Sequence, residues 1–107
     1  IVKEFVKKKR MEENMKIYIA GKITGNPNYK EQFAAAEKKL KAEGHQVINP
    51  TWKPEGLPYK QYIDMGLMEL QQCDVIYLLS DWKDSKGARM EYIYALTVGL
   101  KERREKA

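Results

Sequence analysis

The residue types that hold most structural zinc are almost missing from this sequence, which has one cysteine, Cys73, and one histidine, His45, among 107 residues. A lone thiol excludes an internal disulfide, and with a lone imidazole it argues against a Cys/His zinc site. No bound metal and no cofactor are expected. That cysteine usage fits a reducing compartment, so cytoplasm is the expected location. Long apolar runs are also absent. No stretch has the length needed to cross a bilayer or the pattern of a secretory h-region, so no membrane partner is expected. Proline is scarce, and three of its four copies, Pro50, Pro54 and Pro58, fall in one short stretch.

What is present describes a soluble globular chain, with 43% hydrophobic and 33% charged residues. The length suits one domain with a single modest core. The net charge of +5 invites a nucleic-acid reading, but its distribution does not support one. Residues 1–16 hold six Lys/Arg against three Glu, and residues 99–107 hold four against two, whereas residues 17–98 are balanced. The excess sits on two tails and not on a groove. Residues 1–14 read as an N-terminal extension, with M-K-I-Y-I-A-G opening the domain at Met15, so the expected domain is 15–107.

From Met15 the pattern alternates strand and helix. K-I-Y-I-A (residues 16–20) is β-branched and aromatic and closes on Gly21. Residues 29–43 place Phe33, Ala36 and Leu40 on one helical face before Gly44. Q-V-I-N is a second strand, a proline-bounded loop spans 50–58, and a second helix carries an apolar stripe from Tyr59 to Cys73. The unbroken run V-I-Y-L-L (75–79) predicts a strand buried on both faces, as in a parallel sheet. A third helix is expected from about Lys86, running on into K-E-R-R-E-K. Three strands and three helices in alternation predict a parallel α/β sandwich with right-handed crossovers.

Ligands of such sheets bind beyond the carboxyl ends of the strands. The loops at 21–28, 50–58 and 80–87 belong to that end. Glu91, in the first turns of the third helix, sits among Ala88, Met90, Tyr92 and Ala95. A carboxylate so placed is either a partly desolvated nucleophile or a residue that complements the helix dipole. Ser85 is the expected N-cap, and with Lys86 and Gly87 it also forms a ready anion cradle. The loop G-K-I-T-G offers Gly21, Lys22, Thr24 and Gly25, although it matches no phosphate-loop motif. Asp64, Asp74, Asp81 and Asp84 are candidate acids or bases. Trp52 and Trp82 either stack on a ring or pack on the fold. His45 and Cys73 read as structural.

Together K-I-Y-I-A-G, G-H-Q-V-I-N-P, C-D-V-I-Y-L-L and S-x-G-A-x-x-E-x-x-x-A resemble the nucleoside 2-deoxyribosyltransferase superfamily, in particular its small, uncharacterised bacterial and phage members. The resemblance runs from Met15 to about Leu100 and implies a short version of a three-layer, flavodoxin-like (Rossmann-like) sandwich. It also implies cleavage of an N-glycosidic bond or deoxyribosyl transfer, with Glu91 attacking the anomeric carbon to form a glycosyl-enzyme intermediate. Tyr18 would orient that glutamate. Asp64 would serve the leaving base, although it stands about two residues from the family position, for which Gly66 is the other occupant. The transferases carry an acid six residues before the nucleophile, whereas the 5′-monophosphate hydrolases carry a serine. Ser85, with Lys22 and Thr24, therefore points to a nucleotide. Gly21, Gly25, Asp81, Gly87 and the two tryptophans complete the expected binding set.

The family continues into a fourth strand where this chain reads K-E-R-R-E-K-A. A three-stranded sheet with a bare edge is therefore expected, and with it a homodimer or higher homo-oligomer. The alternative to an enzyme is a non-catalytic module that binds a nucleotide in the same pocket.

Overall fold

The computed structural model describes residues 14–106. Apart from Asn14, the extension expected over residues 1–14 lies outside them. Four strands and three helices alternate: β1 (Lys16–Ala20), α1 (Tyr29–Ala42), β2 (Gln46–Ile48), α2 (Tyr59–Leu70), β3 (Val75–Leu78), α3 (Lys86–Val98) and β4 (Lys101–Arg104). The strands are all parallel in the order β2-β1-β3-β4, the flavodoxin-like doubly wound order. No described helix is long and apolar enough to cross a membrane.

The two central strands lie between two cores, which is why their sequences are continuously apolar. Successive side chains point to opposite faces. Ile17 and Ile19 of β1, with Val75 and Tyr77 of β3, pack on Phe33, Ala36 and Leu40 of α1. Tyr18 and Ala20, with Ile76 and Leu78, pack on Leu70 of α2 and on Ala88 and Ala95 of α3. One helix therefore covers one face and two cover the other, making three layers. Phe33 and Leu40 are fully buried, each stabilising the sheet–helix contact by about 1.5–3 kcal/mol.

The far end of the chain departs from expectation. The last helix does not run on into K-E-R-R-E-K. It stops at Gly99, whose φ of +87° is left-handed and favours glycine, and the Leu100 N–H returns to the Ala95 carbonyl at 2.9 Å. The next four residues pair with β3, from Val75 opposite Lys101 to Leu78 opposite Arg104. The sheet thus has four strands. In place of the expected three strands with a bare edge, the outer side of β3 is covered by a strand rich in charge, which discourages edge-to-edge pairing. Side chains on both faces hold β4 in place. Arg103 forms a two-pronged bond to Glu43 at 2.6 and 2.9 Å and lies over Tyr77. Glu102 accepts from the Tyr92 hydroxyl at 2.7 Å, and Arg104 lies over Trp82 and Tyr92.

The amino ends of the strands are closed by structural contacts. Asp74 accepts the Lys16 N–H at 3.0 Å, and His45 accepts from the Met15 N–H at 3.4 Å. Cys73 is buried, and burial pushes its thiol up to about 11, so it is not a reactive thiolate.

Candidate active site

At the carboxyl ends of β1 and β3 a cavity of about 730 Å³ opens between the loops and the start of α3. This is the switch point of the strand order, where successive crossovers leave for opposite faces of the sheet. Its walls include Ile23, Phe33, Pro54, Tyr59, Tyr62 and Ile63. Loop 50–58 is pinned over it by the Tyr62 hydroxyl, which donates to the Pro54 carbonyl and accepts the Leu57 N–H at 3.1 Å.

The polar pair in this setting comes from distant parts of the chain. The Tyr18 hydroxyl, on a fully buried side chain of β1, donates to Glu91 Oε2 on α3. Glu91 keeps some surface toward the cavity while protein surrounds its carboxyl group. Desolvation is the largest influence and raises its pKa to about 7; the bond from Tyr18 and the charge of Lys53 act the other way, and Glu69 adds to the rise. Tyr18 is held well above the usual phenol range by burial and by Glu91, so it remains a donor. Gly66 is what allows α2 so close. A Cβ built there would stand 2.6 Å from Glu91 Oε2 and 3.1 Å from the Tyr18 hydroxyl.

Eight of the candidate residues singled out in the sequence line this cavity: Tyr18, Gly21, Thr24, Asp84, Ser85, Lys86, Gly87 and Glu91. Gly21 is required by a close approach, since a Cβ would lie 2.6 Å from Leu79 Cδ1. Ser85 caps α3 by accepting the Ala88 N–H at 3.1 Å, which leaves its own hydroxyl proton free to donate.

The others lie elsewhere. Asp64 faces solvent from α2, paired with Lys60 at 2.6 Å, because it is two residues, about 200°, round the helix from Gly66. Asp81 clasps two loops by accepting the Lys22 N–H at 3.1 Å, and neither residue lines the cavity. Gly25 (φ +79°) serves the turn of its loop. Trp82 packs on Tyr92 with ring centroids 4.7 Å apart. Trp52 is 65% exposed and donates from Nε1 to Glu69 Oε2 at 2.8 Å.

Sequence reasoning passed over Lys53 and Glu69. Lys53 looks like one more surface lysine in P-T-W-K-P, yet its side chain is 5% exposed and ion-paired with Glu69. Glu69 did carry a signal, because it is three residues beyond Gly66 and so on the inward stripe of α2. Among the described residues no group of three or more His, Cys, Asp or Glu side chains could hold a metal ion.

A family profile described as a domain of unknown function, DUF4406, matches residues 15–102. The chain belongs to that family. The match to DUF4406 begins at Met15 and takes in every element from β1 to α3, with Tyr18, Gly66, Glu69 and Glu91 all inside it. No curated protein matches the chain.

Proposed function

We propose that this DUF4406 domain cleaves the N-glycosidic bond of a nucleotide, or transfers its deoxyribosyl group, as the likeness to nucleoside 2-deoxyribosyltransferases suggests. The observation that carries the reading is the Tyr18 hydroxyl donating to the Glu91 carboxylate inside a largely apolar cavity. A cavity of about 730 Å³ is in the range of small-molecule sites.

The chemistry follows a double displacement. The Glu91 carboxylate attacks the anomeric carbon as the bond to the base breaks, giving a glycosyl ester. Tyr18 holds the carboxylate in line. Water, or a second base, then attacks the ester and restores Glu91. Asp64 does not line the cavity and position 66 has no carboxyl group, so the departing base takes its proton from solvent or from Asp84, the candidate acid that does line the cavity. Ser85, Thr24 and the N–H groups at the start of α3 receive a 5′-phosphate, for which a helix N-terminus is suited. Lys22, whose side chain does not line the cavity, has no part in this.

Incubating the protein with nucleoside 5′-monophosphates and with nucleosides, and following free base by chromatography, tests the reading. Base release that Glu91→Gln abolishes supports it. Release unchanged in that variant removes Glu91 as nucleophile.

A second reading is a nucleotide-binding module without turnover. It is favoured by Asp64 standing outside the cavity and by the burial that disfavours Glu91's charge. Saturable binding by calorimetry, with no base released over hours, would select it. Self-association belongs to the proposal as well. With the β3 edge covered, it rests on Met90, Ile93 and Leu96, exposed on α3, and sedimentation at the monomer mass would remove it. The cytoplasmic setting rests on cysteine usage alone.

A further inference from the structure

Beneath the cavity lies an ion pair that the proposed chemistry leaves without a task. Lys53 and Glu91 line the same cavity. Lys53 reaches inward from the proline-rich loop to Glu69 of α2, and both side chains are largely buried, 5% and 17% exposed. Glu69 shares a helix face with Gly66, the residue against which Glu91 and Tyr18 pack. One buried cation therefore has two carboxylates in Coulomb range: Glu69, which it touches, and Glu91, which it does not.

The Lys53–Glu69 contact is held by charge more than by hydrogen-bond geometry. Glu69 Oε1 is buried and has no well-angled donor among the described residues. Glu69 Oε2 is engaged by Trp52 Nε1 at 2.8 Å, and Lys53 also reaches the Pro50 carbonyl at 3.3 Å. An ion pair this deep is expensive to desolvate and is weak evidence for stability by itself. Its placement points to another role.

We propose that Lys53 and Glu69 are positioning residues for Glu91: their pairing meters how much positive charge reaches the Glu91 carboxylate, and so decides whether that acid is an anion in the folded protein. The other polar neighbour of the carboxylate is Tyr18 from β1, and Asp84, Lys86 and Glu55 line the same cavity. The directions agree: Lys53 favours the ionised form of Glu91 and Glu69 opposes it. A nucleophile that burial holds half neutral, with Glu69 adding to that effect and Lys53 opposing it, is switched by any ligand group that draws Lys53 from Glu69. This rests on Glu91 acting through its charge, as proposed above, and does not depend on which bond is broken.

The test is a side-chain ¹³C NMR titration of Glu91 in the ligand-free protein. Glu69→Gln leaves Lys53 unopposed and lowers the Glu91 midpoint by about one pH unit, whereas Lys53→Met raises it by a similar amount. Lys53→Arg keeps the charge and stays near the wild type. Removing one partner of a buried pair can unfold a small domain, so Glu69→Gln and Lys53→Arg decide the matter should Lys53→Met not fold. A midpoint that is the same in Glu69→Gln as in the wild type overturns the proposal, as does one that moves the same way in Glu69→Gln and Lys53→Met. No substrate is involved. Failure to release base therefore leaves this proposal standing, and an unmoved midpoint sinks it even in an active enzyme.

Discussion

The burial of Glu91 makes the fold sensitive to pH in a way one substitution isolates. The carboxyl titrates at about 7 in the folded chain against an ordinary 4.5. The folded state therefore binds more protons than the unfolded state between those values, and stability falls as pH rises through that window. Above about 7 the loss is complete, amounting to about 3 kcal/mol at ~1.4 kcal/mol per pH unit. Between about pH 5.5 and pH 8 the group removes roughly 2 kcal/mol, or roughly 10 °C in Tm for a domain this size. Glu91→Gln keeps the shape and the bond accepted from Tyr18 but cannot ionise. Urea unfolding followed by tryptophan fluorescence gives both stability profiles, and their difference cancels every group they share. The variant is expected to overtake the wild type as pH rises. Profiles that stay parallel across the window would mean that the carboxyl is hydrated, and the account of a nucleophile sharpened by desolvation would fall with it.

Other substitutions probe the same geometry. Tyr18→Phe takes away the donor to a buried carboxylate and should cost about 1–3 kcal/mol at alkaline pH, less where Glu91 is protonated; equal losses at both pH values in denaturant melts would contradict the hydrogen bond. Gly66→Ala should gain about 0.5–1 kcal/mol in helix propensity, but its methyl meets Glu91 Oε2 at 2.6 Å. A net loss of about 1–3 kcal/mol is expected, and a more stable variant would show that α2 stands further off. Gly99→Ala adds no contact within 4 Å, so any cost is that of the left-handed backbone, about 1–2 kcal/mol; an unchanged melting temperature would argue against the turn that launches β4.

Much of this arrangement is legible locally because it follows from periodicity. Ile17 and Ile19 alternate with Tyr18 and Ala20, so β1 must face two ways. Phe33, Ala36 and Leu40 recur at helical spacing, and V-I-Y-L-L has no polar face to offer water. With parallel strands and short crossovers, the loops that can hold a ligand follow from topology. Residues in those loops are another matter. Whether Trp82 faces a ligand or packs on Tyr92, and whether Asp64 or Gly66 looks inward, depends on rotations of a fraction of a helical turn.

The sequence by itself determined the alternation of elements, the two-sided burial of the central strands and the end of the sheet where a site can form, because each rests on patterns spanning a few residues. Only the tertiary structure decided the rest. K-E-R-R has no apolar pattern and becomes a strand because β3 presents unpaired backbone beside it and Gly99 turns the chain there. Lys53 is an ordinary lysine until α2 brings Glu69 beneath it. Glu91 is an ordinary glutamate until packing strips water from its carboxyl and Tyr18, 73 residues away, donates its hydroxyl to it. Desolvation and Coulomb forces act through space, so no local stretch of the chain encodes them.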